Sequence, residues 1–167
     1  MNDHVEPRLV IRTAVPADLP ALRQVYRAAS LSNPGDAPML LARPEFLIFA
    51  GDGIAAGRTL IAQAGPPGDG RVVGFATVAD GPDDGPELED LFVDPDWHRR
   101  GVARRLVRRL VDAARETGHR RMWVTGNSHA LAFYQAVGFV QAGEVATELG
   151  PGLRLSLDLR PQRGVGR

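Results

Sequence analysis

Three groups of residues in this sequence have types and spacing suited to chemistry. His98, Arg99, Arg100 and Gly101 stand together, after an apolar run and before an arginine-studded helix. A helix start presents unpaired N–H groups and a partial positive charge. Arg99, Arg100 and Arg104 add full charges, and Gly101 lets the backbone approach a bulky anion. The chemistry would be anion binding, and a pyrophosphate suits it. A plain basic turn is the other reading. The spacing is neither a P-loop nor a dinucleotide fingerprint, since both need other glycine patterns. Glu89 lies in ELEDLFV, where alternation puts Glu87, Glu89 and Leu91 on one face and Leu88, Asp90 and Phe92 on the other. A carboxylate there could take a proton from an amine, directly or through water. It could equally be an edge charge that keeps strands from mispairing. Tyr134 offers a phenol, although a lone tyrosine in a short helix usually packs.

The elements that must hold these groups follow from periodicity. Leu9–Val15 reads as a strand, and 16–30 as a helix with Leu19, Leu22, Val25, Tyr26 and Ala29 on one face. Residues 31–38 are turn-rich, and a short helix is expected over Pro44–Ala50. Arg58–Ala64, Arg71–Ala79 and Glu87–Val93 read as strands joined by turns at GPPGDG and DGPDDGP. From Gly101 to Thr117 the pattern is helical, about 25 Å long. Val102, Ala103, Leu106, Val107, Leu110, Ala113 and Ala114 form its apolar face, and Arg104, Arg105, Arg108, Asp112 and Arg115 its wet one. Strand 120–126, a short helix ending at Gly138, and two closing strands complete the chain. The fold class is mixed α/β: a central, mostly antiparallel mixed sheet with helices on both faces. A single domain over 1–167, with an ordered core at about 8–160, fits the length.

Composition bounds the function. The chain has 44% hydrophobic and 24% charged residues and a formal net charge of +0. No global field draws it to nucleic acid or membrane, so any basic function is local. All 20 basic residues are arginine, and cysteine is absent. Disulfides, thiolate metal sites and cysteine nucleophiles are thereby excluded. His98 and His129 have no third ligand at metal spacing, so no metal is expected. The first residues lack the apolar core of a signal peptide, and no run reaches the roughly 18 apolar residues of a membrane span. A cytoplasmic location is the expectation. Trp97 and Trp123 read as packing residues. The acidic stretch Asp80, Asp83, Asp84, Glu87, Glu89 and Asp90 is either a solvated turn or a lure for a cationic acceptor.

Two segments carry a resemblance. VDPDWHRRGVARRLV resembles the acetyl-CoA-binding segment of the GNAT superfamily of N-acetyltransferases, Arg/Gln-x-x-Gly-x-Gly/Ala, with His98 at the first position. NSHALAFYQAVGF is similar to that superfamily's Asn-x-x-Ala-x-x-Phe-Tyr-x-x-x-Gly-Phe. The resemblance covers essentially the whole chain and is weakest over 31–57. It implies that Arg99, Arg100, Gly101, Val102, Ala103 and Arg104 bind the CoA pyrophosphate. Leu91, Phe92 and Val93 would run beside the pantetheine arm. Asn127 and Ala130 would meet the cofactor from its other side, together with Phe133, which also reads as core, and Tyr134.

The implied reaction is direct acetyl transfer from acetyl-CoA to a primary amine of a small molecule or a peptide or protein N-terminus. An amine of pKa near 10 is about 99.9% protonated at pH 7, so a base is needed. Glu89 would be that base and Tyr134 would protonate the thiolate. A backbone N–H around Leu91 or Phe92 would hold the oxyanion. Two other classes stand beside this one: a catalytically silent acyl-CoA-binding regulatory module, and a toxin-like aminoacyl-tRNA acetyltransferase. The neutral charge and the acidic stretch argue against the last. The resemblance builds the acceptor pocket from roughly 26–50 and 141–153, where Tyr26, Met39, Phe46 and Phe49 read as pocket or as core. A homodimer is an expectation by family analogy alone.

Overall fold

The structure is a computed structural model, and it describes residues 8–66, 70–82, 85–148 and 150–161. Asp83 and Asp84 of the acidic stretch, the middle of GPPGDG and Leu149 lie outside the described residues. The strands are β1 (Leu9–Thr13), β2 (Thr59–Ala64), β3 (Arg71–Asp80), β4 (Pro86–Val93), β5 (Arg121–Gly126), β6 (Val140–Thr147) and β7 (Gly150–Asp158). They form one sheet in the order β1-β2-β3-β4-β5-β7-β6. β1–β2, β2–β3, β5–β7 and β6–β7 pair antiparallel, and β4–β5 pairs parallel. The helices are α1 (Leu19–Leu31), α2 (Ala37–Ala42), α3 (Asp52–Ala55), α4 (Val102–Glu116) and α5 (Leu131–Ala136).

The parallel pair explains where α4 stands. Parallel neighbours need a crossover of a dozen or more residues, usually helical. α4 supplies it, and a turn over 94–101 joins the end of β4 to its N-terminus. Val102, Leu106, Val107, Leu110, Val111 and Ala114 are buried along it. The expected apolar face contained Ala113, which is exposed, and lacked Val111. Steps of four and three from Val107 reach Val111 and Ala114, which is the 3.6-residue period.

Prolines shift the early boundaries. The helix expected from residue 16 starts at Leu19 after a 3-10 turn at Pro16–Asp18. Pro20 lacks an N–H and belongs in a helix's first turn, which sets that start. The short helix expected over 44–50 is a 3-10 turn at Pro44–Leu47, flanked by α2 and α3. Pro44 opens the middle piece, and Gly51 breaks the chain at φ +80.

The fold comprises two compact units, one of residues 1–77 and 90–107, the other of 78–89 and 108–167. In the first, Leu22, Val25, Phe49, Ile61 and Phe75 form the buried core, with Tyr26 and Phe92 packed against it. Tyr26 meets Phe92 edge-on at 4.7 Å, and Phe75 lies 4.7 Å from Phe49. In the second, Leu88, Met122, Val124, Tyr134, Phe139 and Leu155 are buried.

Candidate functional site

The anion cradle is built at the end of β4, in the first unit. Asp94 is 7% exposed and holds the turn from three sides. Its N–H donates to Val73 O at 2.8 Å, its Oδ1 accepts from Asp96 N at 3.0 Å, and its Oδ2 pairs with Arg71 at 2.6 Å. His98 sits where glutamine or arginine was expected, and its Nε2 lies 3.2 Å from Val93 O. That ring therefore ties the turn back to the strand. Gly74 lets the turn come close, since a Cβ there would stand 3.0 Å from Val102 Cγ1 and 3.1 Å from Phe92 O.

Past His98 the backbone departs from ordinary geometry. Arg99 has φ +62, the one non-glycine residue with positive φ among the described residues, and Gly101 has φ +75. For a residue with a Cβ that conformation costs about 1–2 kcal/mol. Two left-handed residues flanking Arg100 fold the chain into a concavity of backbone amides. The N–H groups from Arg99 to Arg104 find no acceptor among the described residues; the first amide of this stretch to be bonded is Arg105 N, to Gly101 O at 3.0 Å. Unpaired donors, a helix start and several arginines are features that suit a pyrophosphate-like anion.

β4 leads into this cradle. Leu91 and Phe92 are half-buried and Val93 is buried. The parallel register joins Glu87 and Leu88 to Trp123 and Val124 only. The printed register gives Leu91, Phe92 and Val93 no β5 partner. A strand edge of this kind can pair with an extended ligand arm, as a strand would.

The second unit holds Tyr134, Asn127, Ala130, Phe133 and the β4 carboxylates Glu87 and Glu89. Tyr134 is 6% exposed. Its ring meets Phe133 at 5.3 Å and Phe139 at 5.6 Å, both edge-on, and a Cβ on Gly126 would touch it at 3.1 Å. Burial pushes the phenol up to about 12. Asn127 is exposed, and its Oδ1 accepts from Ala130 N at 3.0 Å, capping the 3-10 turn before α5. Its amide nitrogen is left for a ligand. Ala130 and Phe133 are half-buried.

The two β4 carboxylates differ. Glu87 is tied to Arg154, which also donates to Thr125 Oγ1 at 2.9 Å. Glu89 is exposed, and its carboxylate makes no hydrogen bond or ion pair among the described residues. A carboxylate without a guanidinium partner is open to a substrate. Sequence alternation did not separate them, because Arg154 lies 67 residues downstream of Glu87. Gly74, Arg71 and Asp94 were also missed; the one local signal was the Asp-Pro-Asp of the turn, which favours an Asx cap. Among the described residues no group of His, Asp or Glu could hold a metal ion.

The sequence pattern of the Acetyltransferase (GNAT) family matches residues 22–139. The chain belongs to that family. Among similar proteins, the N-alpha-acetyltransferase RimI of Mycobacterium tuberculosis is 36% identical over 91 residues, 54% of this chain and 52% of that protein. The chain spans about half the length of the curated relatives it matches. The crystal structure of the ribosomal-protein-S18-alanine N-acetyltransferase from Escherichia coli matches with a TM-score of 0.63 at 22% identity, covering 96% of this chain and 99% of that one. The PaiA N-acetyltransferase from Thermoplasma acidophilum, in complex with coenzyme A, matches at 0.67 and 17% identity over 90% of this chain and 99% of that one. These likenesses establish the GNAT fold. No helix among the described residues is long and apolar enough to cross a membrane.

Proposed function

We propose that this GNAT-family chain is an N-acetyltransferase, moving the acetyl group of acetyl-CoA to a primary amine. The observation that carries the reading is the run of unbonded N–H groups from Arg99 to Arg104, held open by two left-handed residues. These amides, with Arg99, Arg100 and Arg104, take the pyrophosphate, and the free edge of Leu91–Val93 takes the pantetheine arm. Asn127 and Ala130 add contacts, with Phe133 beside them.

The protonated amine first loses a proton to Glu89, through water. Its nitrogen lone pair then attacks the thioester carbonyl. The N–H of Leu91 or Phe92 holds the oxyanion, and the C–S bond breaks as the adduct collapses. Tyr134 sets a condition on the last step. A phenol near 12 gives its proton to a thiolate of pKa about 8.5 only at a cost near 5 kcal/mol. It therefore acts first as a hydrogen-bond donor to the departing sulfur. The adduct's acidic N–H supplies the proton that the thiol finally keeps, relayed through the phenol.

The acceptor class tested first is a peptide or protein N-terminus, because relatives are named for acetylating such groups. Small cationic amines follow. Acetyl transfer followed by CoA release should fall about 10²–10³-fold in kcat in Tyr134→Phe. Glu89→Gln should fall comparably at pH 7 and recover as pH rises, because the amine then loses its proton unaided. Full activity in both variants would remove these roles. Tight acetyl-CoA binding without turnover on any amine would favour the silent module.

A further inference from the structure

In the first unit, a cavity of about 420 Å³ lies between α1, the end of β2 and the start of β3, and reaches Asp94. That volume is in the range of small-molecule sites. None of its lining residues belongs to the cradle amides or to the Leu91–Val93 edge. Its polar groups are joined in a chain. Asp18 accepts from Arg12 at 2.9 Å on each oxygen, and Arg12 Nε donates to Gln63 Oε1 at 3.1 Å. Gln63 Nε2 donates to Gly70 O at 2.7 Å, and the next residue, Arg71, pairs with Asp94.

The chain leaves bonding capacity at both ends. Asp18 and Asp94 are buried. The hydrogen bonds from Arg12 hold the Asp18 carboxyl below the ordinary carboxylate range, so it is charged at neutral pH. A carboxylate has about four acceptor sites. Asp18 uses three, for Arg12 twice and for the Val15 N–H, and Asp94 uses two. Arg71 gives Asp94 one N–H and keeps the others. The Gln24 amide is exposed and makes no hydrogen bond among the described residues. One hollow therefore offers acceptors for a cation and donors for an anion. The wall between them is apolar, with Ala21, Val25 and Val72.

We propose that this cavity is an effector site for a free α-amino acid with an apolar side chain. Asp18 and Gln24 hold its ammonium, Arg71 holds its carboxylate, and its side chain lies against Ala21, Val25 and Val72. Arg71 couples the cavity to the cradle. A carboxylate that draws this guanidinium to itself loosens the hold on Asp94, and Asp94 braces the turn that opens the cradle. The amino acid and acetyl-CoA then weaken each other's binding by the same factor. The amino-acid site stands without the acetyltransferase reading; its coupling to acetyl-CoA rests on that reading.

The probes are L-valine, L-leucine and L-methionine, titrated calorimetrically without acetyl-CoA into wild type, Ala21→Leu and Gln24→Leu. Ala21→Leu fills the hollow from a position outside the transfer machinery. The expected result is saturable binding of at least one probe, weakened about tenfold or more in each variant. The matching amine without a carboxylate and the matching acid without an ammonium should each bind about tenfold more weakly. A saturating probe should lower acetyl-CoA affinity about fivefold in wild type and not in Ala21→Leu. No saturable binding, equal binding of the matching amine, or binding kept in both variants overturns the proposal. Binding that leaves acetyl-CoA affinity unchanged overturns the effector role. Gln24→Leu, at an exposed position, keeps the test decisive if Ala21→Leu disturbs α1. Acetyl transfer that persists without amino-acid binding in the cavity sinks the cavity proposal alone. Amino-acid binding without acetyl transfer to any amine sinks the transferase reading alone.

Discussion

Tyr134 shows how one buried side chain carries both a chemical and a stability signature. Its phenol is raised from 10 to about 12 by burial. The folded state therefore favours the neutral form, and the unfolded chain ionises first as pH rises. The stability tied to Tyr134 is fully present below pH 10 and is lost as pH climbs through 12. Two pKa units amount to roughly 2–3 kcal/mol. Denaturant unfolding at pH 8 and at pH 11.5 should show wild type losing more stability than Tyr134→Phe. Equal losses would mean that the ring is solvated. Burial raises the phenol of Tyr26 too, with help from Asp90, so the variant keeps part of the drop. Gly101 is the second informative residue. A Cβ there has open space, with nothing within 4 Å, so only its φ of +75 resists substitution. Gly101→Ala should raise the KM for acetyl-CoA about tenfold with kcat little changed. Gly101→Asn should be milder, because asparagine tolerates this region. A larger effect from asparagine would contradict the conformational account.

Elements place these residues, and here the sequence was legible where periodicity was clean. α4, β5 and the β2–β4 strands fell within a residue or two of their expected ends. α4 is unmistakable because its buried positions repeat at helical spacing over several turns. The stretch 31–55 was not legible, since three short pieces separated by Pro44 and Gly51 have no period to detect. The candidate site divides in the same way. The cradle and Tyr134 lie in local motifs. The difference between Glu87 and Glu89, and the support of the cradle by Arg71, depend on pairs 67 and 23 residues apart. Local pattern carries no trace of such pairs. Tyr26 and Phe49, read as pocket or core, prove to be core, whereas Met39 is 37% exposed. The Arg71–Asp94 pair is a positioning device for the turn at the end of β4. Arg71→Leu should raise the KM for acetyl-CoA several-fold and leave kcat intact. Arg71 itself is largely exposed, so the stability loss should be about 1 kcal/mol or less. A fall in kcat without a change in KM would place Arg71 elsewhere in the reaction.

At the scale of the whole molecule, a formal net charge of +0 conceals local separation. Unpaired arginines gather at the start of α4, while Asp80 and Glu89 are exposed in the stretch leading into and along β4. A local basic field of this kind suits an anionic ligand although the whole chain is neutral. The measurement that tests the central claim most directly is the stoichiometry of transfer. Wild-type protein is incubated with acetyl-CoA and a panel of peptides with free N-termini, polyamines, aminoglycosides and simple amines, and free CoA and acetylated amine are both counted. The absence of cysteine means that a thiol reagent reads CoA alone. The account predicts equal amounts of the two products on at least one amine class. Free CoA without acetylated amine, or no transfer to any amine, would contradict it.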